Sequence, residues 1–210
     1  MKWYVILPIS LGAIVFLAAV VWGLVVSNVE TPEYVLVDQQ GQIEIRDYSE
    51  IIVAEANIEG DREEAIYAGF RMIANYIFGN NLSTEKVAMT APVTQQTNET
   101  IAMTAPVSQQ SNGRSWKVRF VMPSVYTIET LPVPNNPEVK IISTPPKRYI
   151  AIRFSGFANN ASIQENEAQL REFLAERSIN AVANPVYAFY NDPWTLPFMR
   201  RNEVMIEIAQ

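Results

Sequence analysis

Hydrophobic residues along this chain change their period twice, roughly 100 residues apart. Tyr34 to Ile45 alternates apolar and polar residues around Gly41, as two short strands and a turn do, and Ile51 to Ile58 reads as a further strand. From Asp61 to Phe78 the spacing becomes three and four, through Ala65, Ile66, Phe70, Ile73, Ala74 and Ile77, which predicts an amphipathic helix. Its polarity agrees, with Asp61, Glu63 and Glu64 where the helix dipole favours acids and Gly79 just past the end. The same order then returns. Val139 to Ile142 and Tyr149 to Phe154 read as strands around Pro145-Pro146, and Gly156 follows them as Gly60 followed the first set. Ser162 to Arg177 reads as a second helix with Ile163, Leu170, Phe173 and Leu174 on its buried side, and Val186 to Tyr190 and Val204 to Ile208 close the chain as strands. The period is far too long for a solenoid, so the pattern predicts one α+β domain made of two pseudo-equivalent halves.

Ahead of this domain lies a segment of another kind. Trp3 to Val26 carries no charged side chain, and at about 1.5 Å per helical residue it spans roughly 36 Å, enough for a hydrocarbon core of about 30 Å. A cleavable signal's apolar region is usually about 7 to 15 residues, so residues 1–28 are expected to be a retained transmembrane anchor and 29–210 the domain. The small residues at Val25-Val26-Ser27 keep cleavage as the alternative. Lys2 on one flank and Glu30 and Glu33 on the other orient a single-pass chain with its domain on the non-cytoplasmic, periplasmic or extracytoplasmic, side.

All 22 acidic residues but only 15 of the 16 basic ones follow that segment, which leaves the domain strongly acidic. A groove for nucleic-acid phosphates needs a basic surface, so nucleic acid is not an expected partner, and docking on anionic lipid is disfavoured for the same reason. Cysteine and histidine are both absent. The chain therefore has no thiol nucleophile, no Ser-His or Cys-His pair, no zinc site of the usual nitrogen and sulfur type and no disulfide. An enzymatic reading rests on carboxylates such as Glu55, Glu59 and Glu203, which do acid–base work only where burial separates their pKa values. Salt-bridged structural acids are the default, and the chain is not expected to be an enzyme.

Between the helices a shorter repetition occurs. Residues 85–96, containing Met89-Thr90-Ala91-Pro92-Val93, recur as residues 99–110, containing Met103-Thr104-Ala105-Pro106-Val107. Both copies alternate in the manner of strands, with Pro92 and Pro106 confined to strand ends, bulges or a sheet edge, and Gln96-Thr97-Asn98 is expected to be a hairpin connection. Trp116 to Met122 reads as the next strand, and residues 131–137 as a stiff, proline-rich surface connection. Glycosylation-type sequons begin at Asn81, Asn98 and Asn160, which suggests exposed loops there.

The twin Met-Thr-Ala-Pro-Val segments, Val-Arg-Phe-Val-Met-Pro at 118–123, Arg-Phe-Ser-Gly at 153–156 and Arg-Arg-Asn-Glu-Val at 200–204 resemble the SOUL haem-binding protein family from about residue 30 onward. The resemblance implies a distorted antiparallel β-barrel flanked by two helices, similar to the effector-binding domains of bacterial regulators. It also implies a shallow apolar site for haem or another tetrapyrrole beside the first helix. Carried over by position, that site corresponds to Tyr67, Phe70, Arg71 and Ala74 on the helix and Leu196, Phe198, Met199 and Arg200 in a late loop. A porphyrin needs apolar walls and one or two cations for its carboxylates, roles open to Phe70, Phe198 and Leu196 and to Arg71, Arg200 or Arg201. Without histidine, iron ligation would fall to Met89, Met103 or Tyr67, and no metal site is assigned. The expected function is thus a membrane-anchored, non-enzymatic carrier, buffer or sensor for haem or another small apolar ligand. The alternative is a structural or protein-interaction module, or an effector-binding-like domain for another ligand, that binds no haem.

Overall fold

A computed structural model describes residues 29–83 and 98–209. The expected anchor at 1–28, the first Met-Thr-Ala-Pro-Val copy with Met89, and most of the hairpin connection lie outside the described residues. Among those described, no helix is long and apolar enough to cross a membrane.

Nine strands form one antiparallel sheet: β1 (Tyr34–Gln40), β2 (Ile43–Tyr48), β3 (Ile51–Glu59), β5 (Val107–Asn112), β6 (Ser115–Val121), β8 (Lys140–Thr144), β9 (Lys147–Phe154), β10 (Val186–Phe189) and β11 (Asn202–Ile208), while the short β4 (Asn81–Leu82) and β7 (Val133–Pro134) pair separately. Helix α1 (Arg62–Ile77) follows β3 and helix α2 (Asn160–Glu176) follows β9. The sheet order is β1-β2-β9-β11-β10-β5-β6-β3-β8. The sheet is a curled half-barrel, an open form of the distorted antiparallel β-barrel that the resemblance implies, because its edges β1 and β8 do not pair. The register of β1 on β2 shifts between Leu36 and Asp38, an irregularity of the kind that bends an edge strand and ends pairing.

Both helices cover one face of the sheet. Gln109 and Tyr187 lie near each other across the β5–β10 pair, where Gln109 opposes Tyr187 in register. Gln109 Nε2 donates to the Arg62 carbonyl of α1 at 2.7 Å, and the Tyr187 hydroxyl donates to Glu167 of α2 at 2.8 Å. Under α1 the core joins Ile73, Tyr76 and Ile77 to Ala54, Ala56, Val118 and Phe120. Under α2 it joins Ile163, Leu170, Phe173 and Leu174 to Ile150, Ile152, Val204 and Ile206. Gly69 allows the close approach of α1, since a Cβ there would sit 2.6 Å from Val118.

Local signals set the ends of the helices. Asp61 caps α1 by accepting from the backbone N–H groups of Glu63 and Glu64, both at 3.1 Å, and Asn159 caps α2 by accepting from Ser162 at 2.9 Å. The second Met-Thr-Ala-Pro-Val copy is only half strand: β5 begins at Val107, while Ile101 turns into the core and donates its N–H to the Ile77 carbonyl at the end of α1. Asn98 and Asn160 are exposed as the sequons suggest, but Asn81 is not. Its side chain is fully buried, donates to the Tyr76 and Glu99 carbonyls and accepts from Glu99 N–H, so it pins the exit of α1 to the following segment.

Candidate functional site

The outward side of α1 is incompletely covered. Ala65, Gly69, Ile73 and Ile77 face the sheet, and one turn away Tyr67 is 69% exposed and Phe70 39%. Phe70 rests on Phe120 of β6 with ring centroids 5.3 Å apart, so it bridges core and solvent. Arg71 is exposed and makes no ion pair or hydrogen bond among the described residues, whereas Ala74 is buried and forms the floor of this flank. One α-helical surface therefore offers an aromatic wall and an uncommitted cation, features suited to a porphyrin's ring and to its carboxylates respectively.

The late loop is built on the end of the sheet next to α2. Pro197–Met199 is a single 3-10 turn. The Pro197 carbonyl accepts from Gly156 N–H, and Arg200 lies over the Phe157 ring at 5.1 Å while donating to the Thr195 and Pro193 carbonyls. Arg200 is thus partly committed to holding its own loop. Phe198 projects outward, 65% exposed, and does not plug the α1 flank; Leu196 and Met199 are half-buried in and beside the turn. The helices meet at this end, where Arg62 donates to Asn160 at 2.7 Å. No ring contact joins Tyr67 or Phe70 to Phe198 among the described residues. Met103 is half-buried and packs against the core beneath α1, and no group of three or more acidic side chains is arranged to hold a metal among the described residues.

On the opposite face the half-barrel encloses a cavity of about 290 Å³. Its walls are Tyr48, Tyr149 and Tyr190, with Ile51, Val53, Ile142, Val186, Ala188 and Met205 between them. None of the eight residues expected at the haem site lines it. Behind the tyrosines lies a buried ion network: Arg46 and Glu203, each 1% exposed, form a two-pronged pair at 2.8 and 3.1 Å. Glu203 also accepts from Arg201 and from the Tyr190 hydroxyl at 2.8 Å, and Arg46 reaches Glu44 and the Tyr48 hydroxyl. Burial alone raises the Glu203 pKa, but hydrogen bonds and charge from Arg46, with Arg201 and Tyr190, outweigh it and hold the carboxyl below its ordinary 4.5. Burial pushes Tyr48 and Tyr149 up to about 12, so both stay neutral phenols at physiological pH. Glu55 is likewise paired, to Arg119 at 2.6 Å. Glu55 and Glu203 thus have structural partners, while Glu59, at the end of β3, is exposed.

Strand alternation signals that Arg46, Tyr48, Tyr149, Glu203 and Met205 could share faces, but only the strand order brings β2, β9 and β11 side by side. Arg46 and Glu203 are 157 residues apart, and no local pattern links them.

Residues 29–207 match the family model described as SOUL heme-binding protein. No curated relative matches the chain. Among solved structures, the C-terminal domain of EcmrR is similar with a TM-score of 0.56 at 9% identity, covering 80% of this chain and 98% of that one. A hydrolase from Listeria innocua gives 0.53 at 12% identity, covering 82% and 94%. An uncharacterized conserved protein from Listeria innocua gives 0.55 at 12% identity, covering 80% and 92%. At such identities the likeness shows a shared fold alone.

Proposed function

Because the chain belongs to the SOUL heme-binding protein family, we propose that it is a non-enzymatic binder of haem, another tetrapyrrole or a similar planar apolar ligand on the open flank of α1. The supporting observation is the exposed pair Tyr67 and Phe70 beside the unpaired Arg71. Haem would contribute a flat macrocycle with two carboxylates. Tyr67 and Phe70 would cover its face above Ala74, and Arg71 would meet a carboxylate, with Leu196, Phe198, Met199 and Arg200 bordering the site from the late loop. Ligation through histidine is excluded by composition, and Tyr67 is the exposed oxygen donor on this flank.

Titrating haemin into the full-length chain and following the Soret band is expected to give a saturable shift at micromolar ligand. The double variant Tyr67→Ala with Phe70→Ala is expected to weaken it more than tenfold, since each fully covered aromatic wall is worth about 1.5–3 kcal/mol. A Soret spectrum that never saturates, or is indifferent to the double variant, would refute the site.

The charge-free run from Trp3 to Val26 supports a membrane anchor with the domain on the non-cytoplasmic side. The full chain is then expected to stay with membranes through alkaline carbonate extraction and to lose that behaviour when residues 1–28 are deleted. Release of the intact chain by carbonate would argue against anchoring. Pseudo-equivalent halves are supported by the strand order, in which β3, α1, β5 and β6 occupy places matching those of β9, α2, β10 and β11 on either side of the β5–β10 junction.

A further inference from the structure

We infer that the cavity on the concave face is a second binding site, separate from the α1 flank, for a small uncharged aromatic compound of one or two rings carrying an oxygen acceptor. Size comes first. At about 290 Å³ the cavity lies at the lower end of the roughly 300–1,000 Å³ typical of ligand pockets. Ring-shaped walls favour a flat guest, since Tyr48 and Tyr149 meet edge to face with centroids 5.8 Å apart and present one ring face and one ring edge.

Charge then selects against ions. The cations lining the cavity are Arg119 and Lys147, and each is neutralised by a carboxylate at 2.6 Å, Glu55 and Glu207. The buried Arg46 and the half-buried Arg201 are answered by Glu203 and Glu44. An anion would also have to pass an acidic approach. The adjoining groove shares Pro32, Ser49, Ile51 and Val121 with the cavity and carries Glu30, Glu33 and Glu50, none of which has a cationic partner among the described residues. A cation is attracted to that groove but gains no free carboxylate inside the cavity.

Two donors remain for a neutral acceptor. The Tyr149 hydroxyl makes no hydrogen bond among the described residues and stays protonated, because burial and the nearby Glu207 raise its pKa to about 12. Arg119 uses Nε on Glu55 and Nη1 on Gln110, which leaves Nη2 unassigned. A phenol or ring carbonyl oxygen placed between them would be held while its ring lies against Tyr48, Val186 and Met205.

The test uses 2-naphthol, 2-naphthoate and 2-naphthylmethylammonium with the full-length chain, read by calorimetry. Saturable binding of 2-naphthol is expected, with the carboxylate and the ammonium each at least about tenfold weaker. Tyr149→Phe is expected to weaken 2-naphthol about three- to tenfold by removing one hydrogen bond. Ser108→Phe, which puts a ring into the cavity from β5, is expected to abolish its binding while leaving the melting temperature and the haemin titration unchanged. Three results would overturn the inference: no saturable 2-naphthol binding, tighter binding of either ion, or 2-naphthol binding indifferent to both substitutions. Loss of haemin binding in a folded Ser108→Phe would also overturn it, by making the cavity the tetrapyrrole's own site. Failure of the haemin titration alone bears on the α1 flank and leaves this site standing.

Discussion

Glu203→Ala is expected to lower the stability of the domain by about 3–5 kcal/mol, the usual cost of removing one partner of a buried ion pair, since Arg46 would keep only the partly exposed Glu44. Arg46 cannot turn to solvent, since it is 1% exposed and hemmed in by Tyr48 and by Tyr34, whose ring lies 4.5 Å beneath it. Arg201 keeps partial access to water and adjusts more cheaply. The double variant Arg46→Met with Glu203→Leu is expected to recover most of the loss, because well-packed apolar residues often replace a buried ion pair at little cost. Urea denaturation of the three proteins checks both statements; a single variant as stable as the parent would mean that water reaches the pair. The sign of the pH dependence follows from the depressed carboxyl. The stabilisation is complete above the unfolded value near 4.5 and is lost as pH falls through the lower folded value, so the parent is expected to be acid-sensitive there and Glu203→Ala to lack that increment.

Phe120→Ala is the second large effect, expected at about 3–5 kcal/mol for a fully buried aromatic side chain. Its ring lies between α1 and the sheet, and it is also the support on which Phe70 rests. The substitution is therefore expected to act twice, lowering the unfolding midpoint and weakening haemin binding, although Phe120 itself does not reach the surface. Phe120→Leu should restore most of the stability and less of the binding. Calorimetry and the Soret titration on the same preparations separate the two; full haemin affinity in a folded Phe120→Ala would show that Phe70 needs no support.

The helices were legible because their signals are local. Asp61 and Gly79 bracket a three-four spacing, and α1 occupies Arg62–Ile77 within the expected Asp61 to Phe78. Strands were legible as segments, from Ile51–Glu59 to Asn202–Ile208, because alternation survives wherever one face is buried. The second Met-Thr-Ala-Pro-Val copy misled in its first half: Ile101 and Met103 alternate as a strand would, yet Ile101 serves the core under α1 and the ladder starts only after Pro106. Asn81 misled for a similar reason, since a three-residue motif carries no information about burial. On α1, helical spacing marks Phe70 and Ala74, whereas Tyr67 and Arg71 follow only from the family resemblance. The cavity stayed hidden because its walls come from eight strands, and pairing between distant strands depends on the whole register rather than on any stretch of residues.

β2, from the first half of the chain, is hydrogen-bonded to β9 from the second, while β8 from the second half is hydrogen-bonded to β3 from the first. Each half thus lends the other an outer strip of its sheet, as two hands clasp by interleaving fingers. The first half therefore leaves the ribosome with β3 paired to β6 but still lacking β8 on its other side, and must wait for the last third of the polypeptide.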